Sequence, residues 1–229
     1  MQWQSNRQLS DAEHQIVSAA VHEAEQSTSG EIATIVADCS DHYGDIPLFW
    51  AGGASLLALS IIAALPDYAI WLMERLSGGW IVEPGAQAAL TLAFTVALAK
   101  FLAVWLILQW LPLRLMLTPR HIRFRRVHAR AVDLFRVSAE ARTAGRTGIL
   151  IYLSMRERRA EIVADQAIVA LVPPESWGDA MAAMLALVRQ GRTGDGMAEA
   201  ARQVGALLTV HFPRGTENPN ELPDRLIEL

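Results

Sequence analysis

Apolar and polar positions follow three different rhythms along this chain. Between Ser10 and Gln26 the apolar residues Ile16, Val17, Ala20, Val21 and Ala24 recur at helical spacing on one face. Ser10-Asp11-Ala12-Glu13 has the S-x-x-E spacing of a capping box, which predicts a helix from about 11 to 26. Ser27-Thr28-Ser29-Gly30 ends it, and the continuous apolar run at 31–37 (EIATIVA) predicts a buried strand.

The rhythm is then lost in two long apolar stretches, 47–65 and roughly 88–111. The first holds no ionisable residue, and at about 1.5 Å rise per residue it is long enough to cross a hydrocarbon core of roughly 30 Å. The second carries Lys100 near its middle, where snorkelling or a partner in a dimer would accommodate the charge. Both stretches are expected to span a membrane, since apolar runs this long are rare in soluble helices. No basic segment precedes the first, so it is read as an anchor rather than a signal peptide. Between them, Tyr68 and Trp71 flank Ile70, Leu72, Met73 and Leu76, which predicts a helix lying in the headgroup layer, with Trp80 beyond its stop at Gly78-Gly79.

Beyond residue 117 the amphipathic rhythm resumes. Thr118-Pro119 suits the start of a helix running to about 141, with Ile122, Val127, Ala131, Leu134 and Phe135 inward. Residues 149–154 (ILIYLS) and 160–164 (AEIVA) predict two strands, and the short link 155–159 makes them an antiparallel hairpin. Two further helices are expected, at 176–190 and from 194–196 through 211. The order predicts a small α/β sandwich whose first strand-to-helix connection is opened to admit the membrane hairpin. Residues 1–45 and 118–229 then form the two parts of one domain, and 46–117 form a transmembrane hairpin with a short extracytoplasmic loop.

The composition is 52% hydrophobic over 229 residues, which fits an anchor on a globular body, and the net charge of -4 conceals a segregation. Eight carboxylates and only Arg7 precede the first stretch. After the second come Arg114, Arg120, Arg123, Arg125, Arg126 and Arg130, with no carboxylate before Asp133. Arginines beside a span are retained on the cytoplasmic side, which places both polar segments in the cytoplasm of a bacterial-type inner membrane. Their position favours anionic lipid headgroups over nucleic acid as the partner. The single Cys39 allows no intrachain disulfide and fits a reducing compartment.

Candidate chemistry gathers at one edge. If the first strand and residues 149–154 run parallel, the hairpin returns Asp165 to the end holding Glu31 and Thr147, together with Thr28, Arg142 and Arg146. That edge should point away from the bilayer. Glu31, Asp165 and Thr147 offer hard oxygen ligands suited to Ca2+ or Mg2+, which would in turn hold a phosphate or a partner's carboxylate. Structural pairing of Glu31 and Asp165 with Arg142 or Arg146 and a role as catalytic carboxylates remain alternatives. Asp38, Asp41 and Asp45 read as a solvated linker, Glu157 and its flanking arginines as a solvated hairpin tip, and 218–224 as chain-ending turns. The 191–196 segment, GRTGDG, lacks the strand before it and the Gly-Lys-Ser/Thr ending of a phosphate loop, and serine hydrolase, zincin and thioredoxin motifs do not occur.

The segments at 26–35 (QSTSGEIATI), Phe135 ahead of Thr147-Gly148-Ile149-Leu150-Ile151, and Ala164-Asp165 resemble the TPM domain, a family named for a thylakoid lumen protein, a photosystem repair protein and a modulator of acetylcholine receptors. His211-Phe212-Pro213 and Asn220-Glu221-Leu222-Pro223-Asp224 resemble its bacterial membrane-protein branch. The resemblance implies a three-layer sandwich. For activity it implies the phosphatase reaction of some plant members and the divalent-cation binding of others; no organic cofactor is indicated by the sequence. This chain departs from the usual layout of the family, in which the domain lies outside the cytoplasm and the anchor at an end. The expected function is a membrane-anchored module that binds a partner or divalent metal in assembly or maintenance of a membrane complex, with oligomers allowed. The alternatives are a weak metal-dependent phosphatase at the Glu31/Asp165 edge and an oligomeric transporter.

Overall fold

The computed structural model describes residues 9–78, 85–140, 147–214 and 224–229. Its elements are, in order, α1 (Asp11–Glu25), β1 (Glu31–Ala37), α2 (Asp45–Ala64), α3 (Pro66–Ser77), α4 (Ala86–Ile107), α5 (Leu111–Leu117), α6 (Arg120–Phe135), β2 (Gly148–Ser154), β3 (Arg159–Ala164), α7 (Gln166–Val169), α8 (Pro174–Val188), α9 (Thr193–His211) and β4 (Ile227–Glu228). The chain divides into two compact units, Met1–Asp41 with His121–Leu229, and His42–Arg120.

The first unit is a mixed α/β fold around a four-stranded sheet in the order β3-β2-β1-β4. β1 pairs parallel with β2, from Glu31 opposite Gly148 to Ala37 opposite Ser154, and parallel with β4 on its other side. β3 returns antiparallel along β2. All seven residues of β1 and of β2 are buried, as in strands covered on both faces. Alternation sends Ile32, Val36, Ile149, Ile151 and Leu153 into a core with α1, α8 and α9, and Ala33, Ile35, Leu150 and Tyr152 into a second core with Val127, Ala131 and Phe135 of α6.

Local chemistry explains the main boundaries. Ser10 Oγ accepts from the Glu13 amide at 3.3 Å and Glu13 Oε2 accepts from the Ser10 amide at 2.9 Å, so the capping box opens α1 as expected. Gly205 lets α9 close on α1, since a Cβ there would overlap Ala24. Gly191 closes the turn after α8 at φ 81°, while Gly194 and Gly196 are buried against Glu13 and Met184, so packing accounts for this glycine-rich segment. The helix expected to continue to 141 ends at Phe135 and passes into a π-helical turn, Arg136–Glu140. α7 and β4 were not expected from the pattern of the chain.

In the second unit, α2 and α4 are long and apolar enough to cross a membrane. They pack along each other, with Ser55 Oγ donating to the Ala97 carbonyl at 2.8 Å, yet only 17% and 6% of their apolar stretches are buried. Lys100 is exposed on α4. The second apolar stretch is not one helix. α4 stops at Ile107 and α5 starts with Pro112 in its first turn, while Arg114 donates to the carbonyls of Leu108 at 3.0 Å and His42 at 2.7 Å. Gly78, at φ 65°, caps α3.

Candidate functional site

At the end of the sheet where β1 and β2 begin, three residues lie side by side. Glu31 opens β1 opposite Gly148, the first residue of β2. Asp165 follows β3; its amide donates to the Gly148 carbonyl at 3.0 Å and its Oδ2 accepts from the Gly148 amide at 2.9 Å. By alternation Glu31 and Asp165 belong to the α6 face, about 10 Å apart at Cα across two strand spacings, with a residue lacking a side chain between them. Both are buried, at 3% and 7% exposure. Beside Asp165 opens a groove lined by Val132, Phe135, Arg136, Gln166 and Ala170.

The structure thus brings Glu31 and Asp165 to one end, as the parallel register requires. Thr147 is adjacent, its hydroxyl donating to the Ser29 carbonyl at 3.1 Å. Thr28 has a structural task, donating to the Phe212 carbonyl at 2.6 Å and accepting from the Gly30 amide at 3.1 Å. Arg142, Arg146 and residues 218–223 lie outside the described residues. Among the described residues no three His, Cys, Asp or Glu side chains converge as a metal cage.

Two residues at this end escaped the sequence reading. Arg136 lies on the groove because α6 loosens into its π turn, which apolar spacing does not signal. Glu25 is buried at the end of α1, where its Oε1 accepts from the Ile32 amide at 2.7 Å and so occupies an edge donor of β1 that β4 does not reach. Burial, then the neighbouring charges of Glu31 and Asp224, push its carboxyl up to about 8. Its Oε2 meets no donor among the described residues; protonated, it donates toward Asp224, which also pairs with His22 at 2.8 Å.

The opposite end of the sheet corrects two expectations. Asp38 and Asp41 are not a solvated linker, because they pair with Arg156 at 2.7 Å and with Arg126 at 2.6 Å. Nor is the β2–β3 turn merely solvated: Glu157 is buried, accepting from the Ser40 amide at 2.9 Å, from Cys39 Sγ at 3.4 Å and from the Ser154 hydroxyl. Ser40 in turn bonds the Tyr152 hydroxyl at 2.9 Å. Burial and the Glu157 charge push the Cys39 thiol up to about 12, which leaves it protonated and unreactive as a nucleophile. Of the arginines expected at a membrane surface, Arg126 is bound to Asp41, while Arg123, Arg125 and Arg130 make no ion pair among the described residues.

The fold is therefore a mixed α/β domain with helices on both faces of a short sheet and a carboxylate pair at one sheet end. Residues 116–207 match the family model of the TPM domain. Among solved structures it is similar to the NMR structure of the BA42 protein from the psychrophilic bacterium Bizionia argentinensis, with a TM-score of 0.55 at 16% identity over 100% of both chains, a likeness of fold. No curated protein matches the sequence.

Proposed function

We propose that this chain is a membrane-anchored TPM module whose Glu31/Asp165 edge binds a divalent cation, Ca2+ or Mg2+, or a basic group of a protein partner, in assembly or maintenance of a membrane complex. Anchoring is supported by the exposure of α2 and α4: apolar all round and 17% and 6% buried, they lack the protein cover that a soluble core helix has. Arg120, Arg123, Arg125, Arg126 and Arg130 follow the second apolar helix closely, which supports a cytoplasmic TPM domain with its arginines toward anionic headgroups of a bacterial-type inner membrane.

The observation that carries the site is the pair of buried carboxylates flanking Gly148, with Thr147 adjacent. Hard oxygen donors of this kind suit Ca2+ or Mg2+ more than softer metals. Calorimetric titration of the purified protein in detergent, paired with thermal shift, tests it. Saturable binding that Glu31→Gln and Asp165→Asn both remove is expected. Heat of binding unchanged in both variants would refute the metal reading and turn the search to a membrane-protein partner.

A second reading, a metal-dependent phosphatase, is favoured by Arg136 beside Asp165 on the open groove, since a guanidinium next to a bound cation holds a phosphate. Turnover of a phosphomonoester that disappears in Asp165→Ala, with the fold intact, is the expected result. Turnover indifferent to Asp165 and Glu31 would exclude this reading.

A further inference from the structure

The sequence separates two groups of arginines that the fold joins. α6 carries Arg123, Arg125 and Arg130, and the β2–β3 turn carries Arg158 and Arg159. The Arg159 guanidinium lies 3.1 Å from the centre of the Phe124 ring, and His128 reaches Glu161 at 3.4 Å, so the start of β3 runs beside the first half of α6. Both elements belong to the same compact unit, so these guanidinium groups form one basic surface.

Two features distinguish this surface from an ordinary solvated face. The carboxylates nearby are spent on particular partners, Asp38 on Arg156, Asp41 on Arg126 and Glu161 on Arg159. Arg158 holds a left-handed backbone at φ 55°, a conformation that glycine or asparagine adopts with less strain. An arginine kept at such a position points to a task for its side chain.

Resting on the anchor reading above, we infer that the β2–β3 turn is a second headgroup-binding element, which together with α6 forms a basic surface for the phosphates of anionic phospholipids. Phosphate oxygens are acceptors that the guanidinium groups of such a surface bind in bidentate fashion. Phe124, half-exposed on α6 with the Arg159 guanidinium stacked on its ring, suits the boundary between headgroups and acyl chains.

The test uses the full chain reconstituted into nanodiscs of phosphatidylcholine alone or of phosphatidylcholine with phosphatidylglycerol. Arginine modification by phenylglyoxal, read residue by residue by mass spectrometry, reports contact. Arg158 and Arg159 should react about five-fold more slowly in the anionic discs, as expected for basic residues drawn to such a surface. High salt should remove the difference. Arg158→Asn, which tolerates the left-handed backbone, should retain the fold and reduce the protection of Arg159. Equal reactivity in both discs, with the chain fully incorporated, would overturn this inference while leaving the anchor reading intact. Failure of the chain to incorporate would overturn both.

Discussion

The two ends of the sheet bury carboxylates to the same degree and use them differently. Glu157, at the end where β1 and β2 finish, commits both oxygens to Ser40, Cys39 and Ser154. Asp165, at the end where they begin, commits Oδ2 to Gly148 and lines an open groove, and Glu25 leaves Oε2 without a donor. Exposure alone, 6% for Glu157 and 7% for Asp165 and Glu25, does not separate them. What separates them is the number of lone pairs the fold has already used, because a saturated carboxylate has nothing left with which to hold a ligand.

The largest effect should come from opening the saturated end. Glu157→Ala removes the acceptor of a buried amide, a hydroxyl and a thiol together, and should cost about 3–5 kcal/mol, read as a loss in chemical denaturation. Glu157→Gln, which keeps one carbonyl acceptor, should cost less than half of that. If the alanine variant lost under about 1 kcal/mol, the contrast between the two ends would fail, because the network would then contribute little to the fold.

At the open end, the burial of Glu25, reinforced by the carboxylates beside it, makes stability depend on pH. Glu25 titrates at 4.5 in the absence of the fold and at about 8 within it, so between these values the folded chain binds more protons than the unfolded one. The stabilisation is complete below about 4.5 and is lost as pH rises through about 8. Glu25→Gln keeps an acceptor for the Ile32 amide and should flatten that decline in thermal unfolding followed from pH 5 to 9. Added Ca2+ should draw the upper limit of the window downward in the parent chain, since a cation near Glu31 offsets the charge that raises Glu25. A decline unchanged in the glutamine variant would assign the pH dependence to another group.

A smaller effect tests whether Asp165 is held for structure or for ligand. Asp165→Ala strands the Gly148 amide and should cost about 1–2 kcal/mol, whereas Asp165→Asn retains an acceptor and should cost under about 1 kcal/mol. The asparagine variant should nevertheless lose cation binding, and that divergence between stability and binding is what a ligand site requires. Equal losses of stability in both variants, with binding preserved, would make the open end as structural as the closed one.

How far the two ends could be read beforehand follows from the range of the forces that build them. The strands and the β2–β3 hairpin were visible in runs of apolar residues and in the shortness of the link, and the parallel pairing of β1 with β2, which a helical crossover between them makes natural, brings Glu31 and Asp165 to one end. Local rules also exposed the α1 capping box. Glu157 was read as a solvated tip because its neighbours in sequence are arginines; its burial depends on Cys39 and Ser40, more than a hundred residues away. Likewise β4 is only two residues long and pairs solely because α1 and β1 leave an edge for it, and Glu25 closes part of that edge. No local pattern carries such information, since these contacts are set by the packed sheet rather than by neighbours along the chain.

The smallest expected effect bears on the turn at the closed end. Arg158→Gly removes a left-handed arginine and should stabilise the chain by about 0.4–1 kcal/mol, the released backbone strain being partly offset by the greater freedom of glycine in the unfolded state. The same variant should weaken the protection of Arg159 by anionic lipid. A chain that gains stability as it loses lipid contact would show that the fold carries strain at this turn for the sake of a surface, as functional positions commonly do. A chain that gains stability and keeps its lipid contact would place the contact on α6 alone. The closed end would then differ from the open one only in being saturated, and not in having a surface of its own.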